Sequence, residues 1–573
     1  MKTIYDEKIK PVNKDNFVKR AHALKQEGEL LYASWKDLQR NLYPLRGYFY
    51  DSKPNKGSLI NHKYLIDQHA TRCIRDSASG MQAGLTSSAR PWFQIETPDP
   101  ELNEYKPVKV QLEAITKILL FIMATSNSYD MHPSIYEELL TFGQAGALVV
   151  GDYFDVIRCR TFTCGEYFIG VDNRGEVDAL YRMMWMTVGQ IVKEFGIENV
   201  SATIKNAYER NRPDDWKQVN HLIEVNDDRV PFFKDYKNMM YRSIYWENSE
   251  KDKYLRKGGY EECPILAPWW HKITSQDTYG RGPGWNALGH IKMLQKQQKD
   301  KLLSIEKVAN PPMQRDSSVQ GEVNTLPGGL TTFSANSPNA GLKPAYQIAP
   351  DIQSIATEIE NVKKDITNDF YTDLFRMIMD INRTGVSATE IAEKKAEQLS
   401  LISPFIDRLT DRYHKKFIER IFGVALRSQL FPPFPQEMKG MDLRIKYISI
   451  VAQAQKMIGL TAIENAMAFN GKLAQMNPVV MDNVNFDETY RTYVDMIGIS
   501  AKSTNSKEEV VKIRVQRAKD QKITEDNQRA MALVEGAEKG ANAVKAMAQA
   551  PMGKDKGDNV LTKTMKSVEE MNK

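Results

Sequence analysis

Few residues in this chain of 573 are of types and spacings that do chemistry. Its four cysteines, Cys73, Cys159, Cys164 and Cys263, include a C-x4-C pair at 159 and 164. A structural zinc site needs four ligands, and neither a second pair nor neighbouring histidines complete this one, so no metal is expected. Four cysteines in a chain this long are also too few for a disulfide framework, which suits a reducing compartment. The cluster Tyr279-Gly280-Arg281-Gly282-Pro283-Gly284 has the texture of a phosphate-binding loop. A nucleotide cradle ends in Gly-Lys-Ser/Thr, however, and Pro283 removes one N–H donor, so the cluster reads as a bend entering a helix. The adjacent carboxylates Glu137-Glu138, Asp227-Asp228 and Glu261-Glu262 diverge on a helix or strand and are expected at solvated edges. The eight histidines form no His-Glu-x-x-His, and no Gly-x-Ser-x-Gly elbow occurs. Neither an enzyme nor a cofactor is expected.

The basic side chains remain. Lys363, Lys364, Arg376 and Arg383 lie on or just after one helical stretch, where a ring of copies would multiply each charge and meet nucleic-acid phosphates without reading sequence. With 78 Lys+Arg against 73 Asp+Glu the net charge is only +5, which excludes a histone-like tail or a disordered acidic chain. Attraction for nucleic acid must then be local. A 42% hydrophobic content over this length predicts roughly three to five globular domains. No signal-peptide core is evident, and the apolar stretch Ile118 to Ala124 is far shorter than the ~20 residues of a membrane span, so the protein is read as soluble and made in cytoplasm.

Elements must position these groups. Residues 15–150 carry helical spacing, with Leu30, Leu31, Trp35, Leu38 and Leu42 before the break at Tyr43-Pro44, then a second helix from His69 to Leu85. On that helix Ala70, Ala78, Gly80, Ala83 and Gly84 leave room for a neighbour to approach closely. From Ala145 to Tyr181 β-branched and aromatic residues alternate with turns such as Asp172-Asn173-Arg174-Gly175, and 222–225 and 240–246 continue this antiparallel-sheet texture. Trp285 to Val308 predicts a helix of roughly 36 Å with Leu288, Ile291, Leu294, Leu302, Ile305 and Val308 on one face. A segment rich in Gly, Pro, Ser, Asn and Thr follows Asn310-Pro311-Pro312 as far as Pro350, with room for a short strand or two. A second long helix then carries Ile352, Ile355, Ile359, Val362 and Ile366 in a narrow seam continuing toward Phe370 and Leu374. Two such helices pair antiparallel and hold the excursion ~35–40 Å away at the tip of a stalk. Two ordinary core helices flanking a surface loop are the alternative. Ser387 and Glu390 have capping-box spacing; helix runs to Leu430, strand near 443–450, and helices near 452–475 and 486–497. From Lys507 to Ala548 a solvated helix has too little apolar content to stand alone and needs partners, copies of itself in the simplest case. The fold class is α+β, mainly helical.

In order along the chain, several motifs resemble the head-to-tail connector, or portal, proteins of short-tailed bacteriophages. They are Trp35 with Tyr43-Pro44, the small-residue helix from Ala78 to Thr86 leading into Arg90-Pro91-Trp92-Phe93, Tyr279 to Gly284 followed by Ala287-Leu288, and Asn310-Pro311-Pro312. Phe370 to Phe375 and Ala388-Thr389-Glu390 with Glu397, Pro404 and Arg408-Leu409 complete the set, so the resemblance spans 25–520. It implies the portal fold: a wing of helices and antiparallel sheet at 1–275, stem helices at 276–310 and 350–376, a clip at 311–349, and a DNA-facing tunnel loop at 377–387. Wing return and crown helices follow at 388–504, then a C-terminal barrel helix and disordered tail at 505–573. It further implies a ring of twelve copies at one capsid vertex of the virion, assembled in the host cytoplasm. Implied partners are the terminase large subunit, major capsid and scaffold proteins, tail adaptors, and double-stranded DNA passing through the channel. In this frame Ile355, Ile359, Val362 and Ile366 pack the stem, while Lys363, Lys364, Arg376 and Arg383 line the channel. A ring-forming tail or collar adaptor that binds protein only is the alternative.

Overall fold

A computed structural model of the chain describes residues 14–49, 65–230, 235, 238–248, 254–274, 276–315, 322–324, 342–345, 351–380, 403–438, 440, 443–448, 463–475, 477–497 and 503–549. These residues are mainly helical with antiparallel sheets, and the chain divides into two compact units, 1–100 with 111–497 and 101–110 with 498–573. The helices are α1 (Lys14–Glu29), α2 (Tyr32–Asn41), α3 (His69–Leu85), α4 (Pro100–Glu104), α5 (Lys106–Thr125), α6 (Ser128–Phe142), α7 (Val188–Phe195) and α8 (Ala202–Glu209). Beyond them come α9 (Pro283–Ala309), α10 (Ile352–Asp369), α11 (Thr372–Asp380), α12 (Lys415–Arg427), α13 (Phe486–Ile497) and α14 (Lys507–Gln549). The strands are β1 (Phe93–Glu96), β2 (Gly146–Asp152), β3 (Val156–Phe162), β4 (Tyr167–Val171), β5 (Val177–Thr187) and β6 (Trp216–Val225). They continue with β7 (Tyr241–Glu247), β8 (Tyr254–Tyr260), β9 (Ile265–Leu266), β10 (Met313–Arg315), β11 (Leu342–Pro344) and β12 (Arg444–Tyr447).

In the larger unit the sheet β4-β5-β6-β7-β8 is antiparallel throughout. Alternation along its strands sends Phe168, Ala179, Tyr181, Leu222, Ile244 and Trp246 to one face, under Phe17, Ala21 and Leu24 of α1. The opposite face packs Val219, Tyr245 and Leu255 against Val188 and Ile191 of α7 and Ile204 of α8. A capping box starts α7: Gln190 N–H donates to Thr187 Oγ1 and Thr187 N–H to Gln190 Oε1. The smaller sheet β3-β2-β9 lies beside α6, and β1 pairs with β12 in the register Phe93↔Tyr447. The stretch Trp92-Phe93, expected to follow a stopped helix, is thus the edge to which the residues near 445 return.

Glycine determines how α9 leaves this core. Gly143 ends α6 at φ +83, where a Cβ would run into the backbone of Arg281 and Gly282, and a Cβ on Gly282 would meet the Leu139 carbonyl. The glycine cluster is therefore a crossing point of two backbones.

Two of the three carboxylate pairs depart from the expected solvated edges. Glu138 is 1% exposed, accepting from Thr163 Oγ1 (2.7 Å), the Cys164 N–H (3.2 Å) and Arg46 Nη1 (3.4 Å). Burial outweighs these partners and pushes its carboxyl up to about 7. Glu262 takes Arg420 Nη1 (2.7 Å) and Arg427 Nη2 (2.8 Å), tying the segment after β8 to α12. Hydrophobic pattern carries no information about such ion pairs, because they form between segments distant in sequence. Asp228, by contrast, is exposed beside Arg242.

In the second unit, α14 is a helix of about 65 Å at 1.5 Å per residue. Its start is capped, with Glu509 N–H donating to Ser506 Oγ (3.1 Å) and Ser506 N–H to Glu509 Oε2 (2.8 Å). Lys106 Nζ also reaches Glu509 Oε2 (2.6 Å).

Candidate functional site

The long helices α9 and α10 pack side by side. Ile359, Val362 and Ile366 of α10 are buried and Ile355 is half-buried, with Ala287, Ile291 and Leu294 buried on α9. His290 near the start of α9 hydrogen-bonds Asp369 at the end of α10 (His290 Nδ1 to Asp369 Oδ2, 2.8 Å), whereas β10 and β11 pair beyond the opposite ends, Met313↔Pro344. The two helices therefore run antiparallel. Burial is confined to the half of α9 near the core, and farther out Leu302 (57% exposed), Leu303, Ile305 and Val308 are uncovered.

The base of the pair is held by a segment with no sequence signature of its own. Gln295 Oε1 on α9 accepts the N–H groups of Ile66 (2.6 Å) and Asp67 (2.9 Å), while Gln295 Nε2 donates to the Asp67 carbonyl (2.8 Å). The Asp67 carboxylate accepts from Gln298 Nε2 (2.8 Å) and from the His69 N–H (2.8 Å) that opens α3, with Lys363 Nζ 3.8 Å away. His69 Nε2 lies 3.0 Å from both the Lys363 carbonyl and Thr367 Oγ1 on α10. Asp67, His69 and Gln295 thus clamp α3, α9 and α10 together. Sequence reading missed all three, and the available signal was an Asp two residues before a helical His.

The second long helix ends earlier than the expected boundary at 376. It stops at Asp369, and Tyr371 at φ +54 turns the chain into α11. The physical reason lies on α3. Ser77 Oγ donates to the Phe370 carbonyl (3.0 Å), and Gly80 leaves a hollow in which a Cβ would come within 2.6 Å of Phe375 Cβ, so α11 drops onto the small face of α3. Phe375 is buried there in place of Leu374, which is half-buried. Residues 377–380, expected at the start of a loop, are the last turn of α11; the remainder of 377–387 lies outside the described residues, as does Ser387 with Glu390.

The four expected cations fall differently. Lys363 Nζ is 3.0 Å from Glu360 Oε1, besides its approach to Asp67. Lys364 is exposed, with no ion pair among the described residues. Arg376, half-exposed, is paired with Asp76 on α3 and lies 3.9 Å from Asp373. Arg383 lies outside the described residues. The charge balance favours the other helix, since α9 carries five lysines against two acids and α10 two lysines against four acids. Cys73, Cys159 and Cys164 are buried and unbridged, Cys263 is half-buried, and no group of three metal-ligating side chains occurs among the described residues. No described helix is long and apolar enough to cross a membrane.

The family model described as bacteriophage head to tail connecting protein matches residues 14–504, and the chain belongs to that family. It is a structural, non-enzymatic component of the virion that joins head to tail at the capsid vertex. It is 36% identical over 534 residues to the portal protein of Salmonella phage epsilon15, covering 93% of this chain and 95% of that one. To the probable portal protein of Bordetella phage BPP-1 it is 36% identical over 520 residues, covering 90% and 93%. Solved structures matched include the virion of a native gene transfer agent particle (TM-score 0.31, 12% identity, 69% of this chain and 90% of that chain). The neck of the empty gene transfer agent particle matches with a TM-score of 0.32 and 11% identity over 74% and 93%.

Proposed function

We propose that copies of this chain close into a ring of twelve at one capsid vertex, forming the channel through which double-stranded DNA is packaged and later ejected. The observation that carries the reading is the antiparallel α9–α10 pair, clamped at its base by Asp67 and Gln295 and bearing β10–β11 at its tip, in a chain matched to the connector family over 14–504. In portal terms this pair is the stem, with Ile355, Ile359, Val362 and Ile366 as its packing seam, and the strand pair is the clip. The uncovered Leu302, Ile305 and Val308 need a neighbour, and an adjacent copy supplies one.

Of the proposed channel cations Lys363, Lys364, Arg376 and Arg383, Lys364 is the one with an unshared charge among the described residues that include it. Lysines of α9 join it by charge balance. Their contacts would be with phosphates and independent of base sequence. The clip would present a surface first to the terminase large subunit and then to tail adaptors, while the wing, 1–275, would meet major capsid and scaffold proteins. Negative-stain electron microscopy of the purified protein tests the reading. Twelvefold top views with a stain-filled channel of duplex width are expected. A closed assembly without a channel would point instead to a collar that binds protein alone.

A further inference from the structure

One row of residues across the five-stranded sheet has no place in a stem or channel. The register sets Arg182 of β5 opposite His221 of β6, His221 opposite Tyr245 of β7, and Tyr245 opposite Arg256 of β8, so these four share one face. Arg182 is 5% exposed. Its Nε donates to His221 Nδ1 (2.9 Å), and its guanidinium carbon sits 4.9 Å over the Phe162 ring of β3. His221 Nε2 faces Ser243 Oγ (2.9 Å), and the imidazole stacks on Tyr245 with centroids 3.8 Å apart. Burial, with Arg182, Arg256 and Arg160 nearby, holds His221 well below its ordinary pKa and therefore neutral. The guanidinium of Arg256 lies 4.8 Å from the Tyr245 ring centroid.

What this row lacks is negative charge. Arg182 Nη2 is buried without a hydrogen-bond partner, and no carboxylate is within ion-pair distance of Arg182 among the described residues. Glu166 is close enough to feel its charge, but accepts the Thr163 N–H (3.2 Å) instead, and burial raises its pKa. Arg160, two positions before Phe162 on the same side of β3, is exposed and has no ion pair among the described residues. Arg256 pairs with Glu194 (3.0 Å), a contact exposed on both sides. A guanidinium keeps its proton in any protein environment, so a buried one with an orphaned N–H is costly unless something neutralises it. Its planar fork matches the oxygens of phosphate.

We propose that Arg182, with Arg160 and Arg256 at the rim, forms a binding site for a phosphate-class oxyanion, supplied as free phosphate or as a backbone phosphate of nucleic acid. The inference does not depend on the ring. Its test is the melting temperature of the full chain in phosphate- and sulfate-free buffer as sodium phosphate replaces sodium chloride at matched ionic strength. A saturable rise is expected for the wild type and none for Arg182→Met, which keeps the volume and removes the charge. In a parallel arm a short DNA duplex replaces phosphate, and a saturable, Arg182-dependent response to duplex alone assigns the oxyanion to the backbone. No saturable response in either arm, or an equal one in Arg182→Met, overturns the site. Should that variant fail to fold, Arg160→Gln at the exposed rim decides, with about tenfold weaker binding expected from one lost charge-assisted hydrogen bond. Unchanged affinity would overturn the proposal.

Discussion

Replacing Ile359 by aspartate separates packing within the chain from packing between copies. Ile359 is 2% exposed in the α9–α10 seam, and its truncation to alanine is expected to cost about 3 kcal/mol. Aspartate adds the cost of a buried carboxyl, about 4 kcal/mol at pH 7 if its pKa must rise by some three units to neutralise it. Full burial of Ile359, Val362 and Ile366 together contributes about 6 kcal/mol, so the substitution removes more than the seam supplies. The expected result is detachment of α10 while the β5–β7 core stays folded. Hydrogen exchange by mass spectrometry should show lost protection in peptides from 352–369 and retained protection in 177–247. Leu302→Asp is the companion, since that side chain is already 57% exposed and its loss should change chain stability by less than about 0.5 kcal/mol. It should nevertheless abolish rings in sizing with light scattering. Wild-type protection of α10 in Ile359→Asp would refute the seam, and intact rings of Leu302→Asp would move the assembly surface off α9.

Gly80→Ala should destabilise by about 1–3 kcal/mol, because its Cβ would meet Phe375 Cβ and the Phe375 carbonyl oxygen, each at 2.6 Å; the check is a lowered melting midpoint that Phe375→Leu, which keeps both atoms, does not restore. Glu138 has its folded-state carboxyl raised to about 7 from 4.5, so its contribution is fully present below pH 4.5 and is lost as pH rises through 7. That loss amounts to about 3 kcal/mol, and the urea midpoint of Glu138→Gln should lack this component between pH 4.5 and 7.5. Arg376→Glu should weaken the α3–α11 contact by less than about 1 kcal/mol, and Asp76→Arg should restore it. If Arg376 faces DNA, both the single variant and the charge-swapped pair should package less DNA per particle; normal packaging by the swapped pair would confine Arg376 to a structural role.

How far the fold was legible follows from which interactions are local. The bounds of α3, the turn after β4 and the two long helices were all readable, because propensity, turn chemistry and periodicity act within a few residues. The small-residue face of α3 announced a close neighbour without saying which one. Only the structure identifies it as α11, and that contact ends α10 at Asp369 rather than continuing it to 376. Glu138 and Glu262 were misread for a similar reason. Neighbouring carboxylates are indistinguishable in sequence until Arg46, Arg420 and Arg427 arrive from other segments.

Composition and periodicity by themselves determined a mainly helical α+β chain with two long helices, and ordered motifs carried the likeness to a connector. Tertiary structure decided the Asp67–Gln295 clamp, the pairing of β1 with β12 and the placement of Arg182, His221, Tyr245 and Arg256 in one row. Each of these joins residues whose meeting depends on strand register or helix crossing. Register and crossing are set by the packing of the whole core, and no local window of sequence contains them.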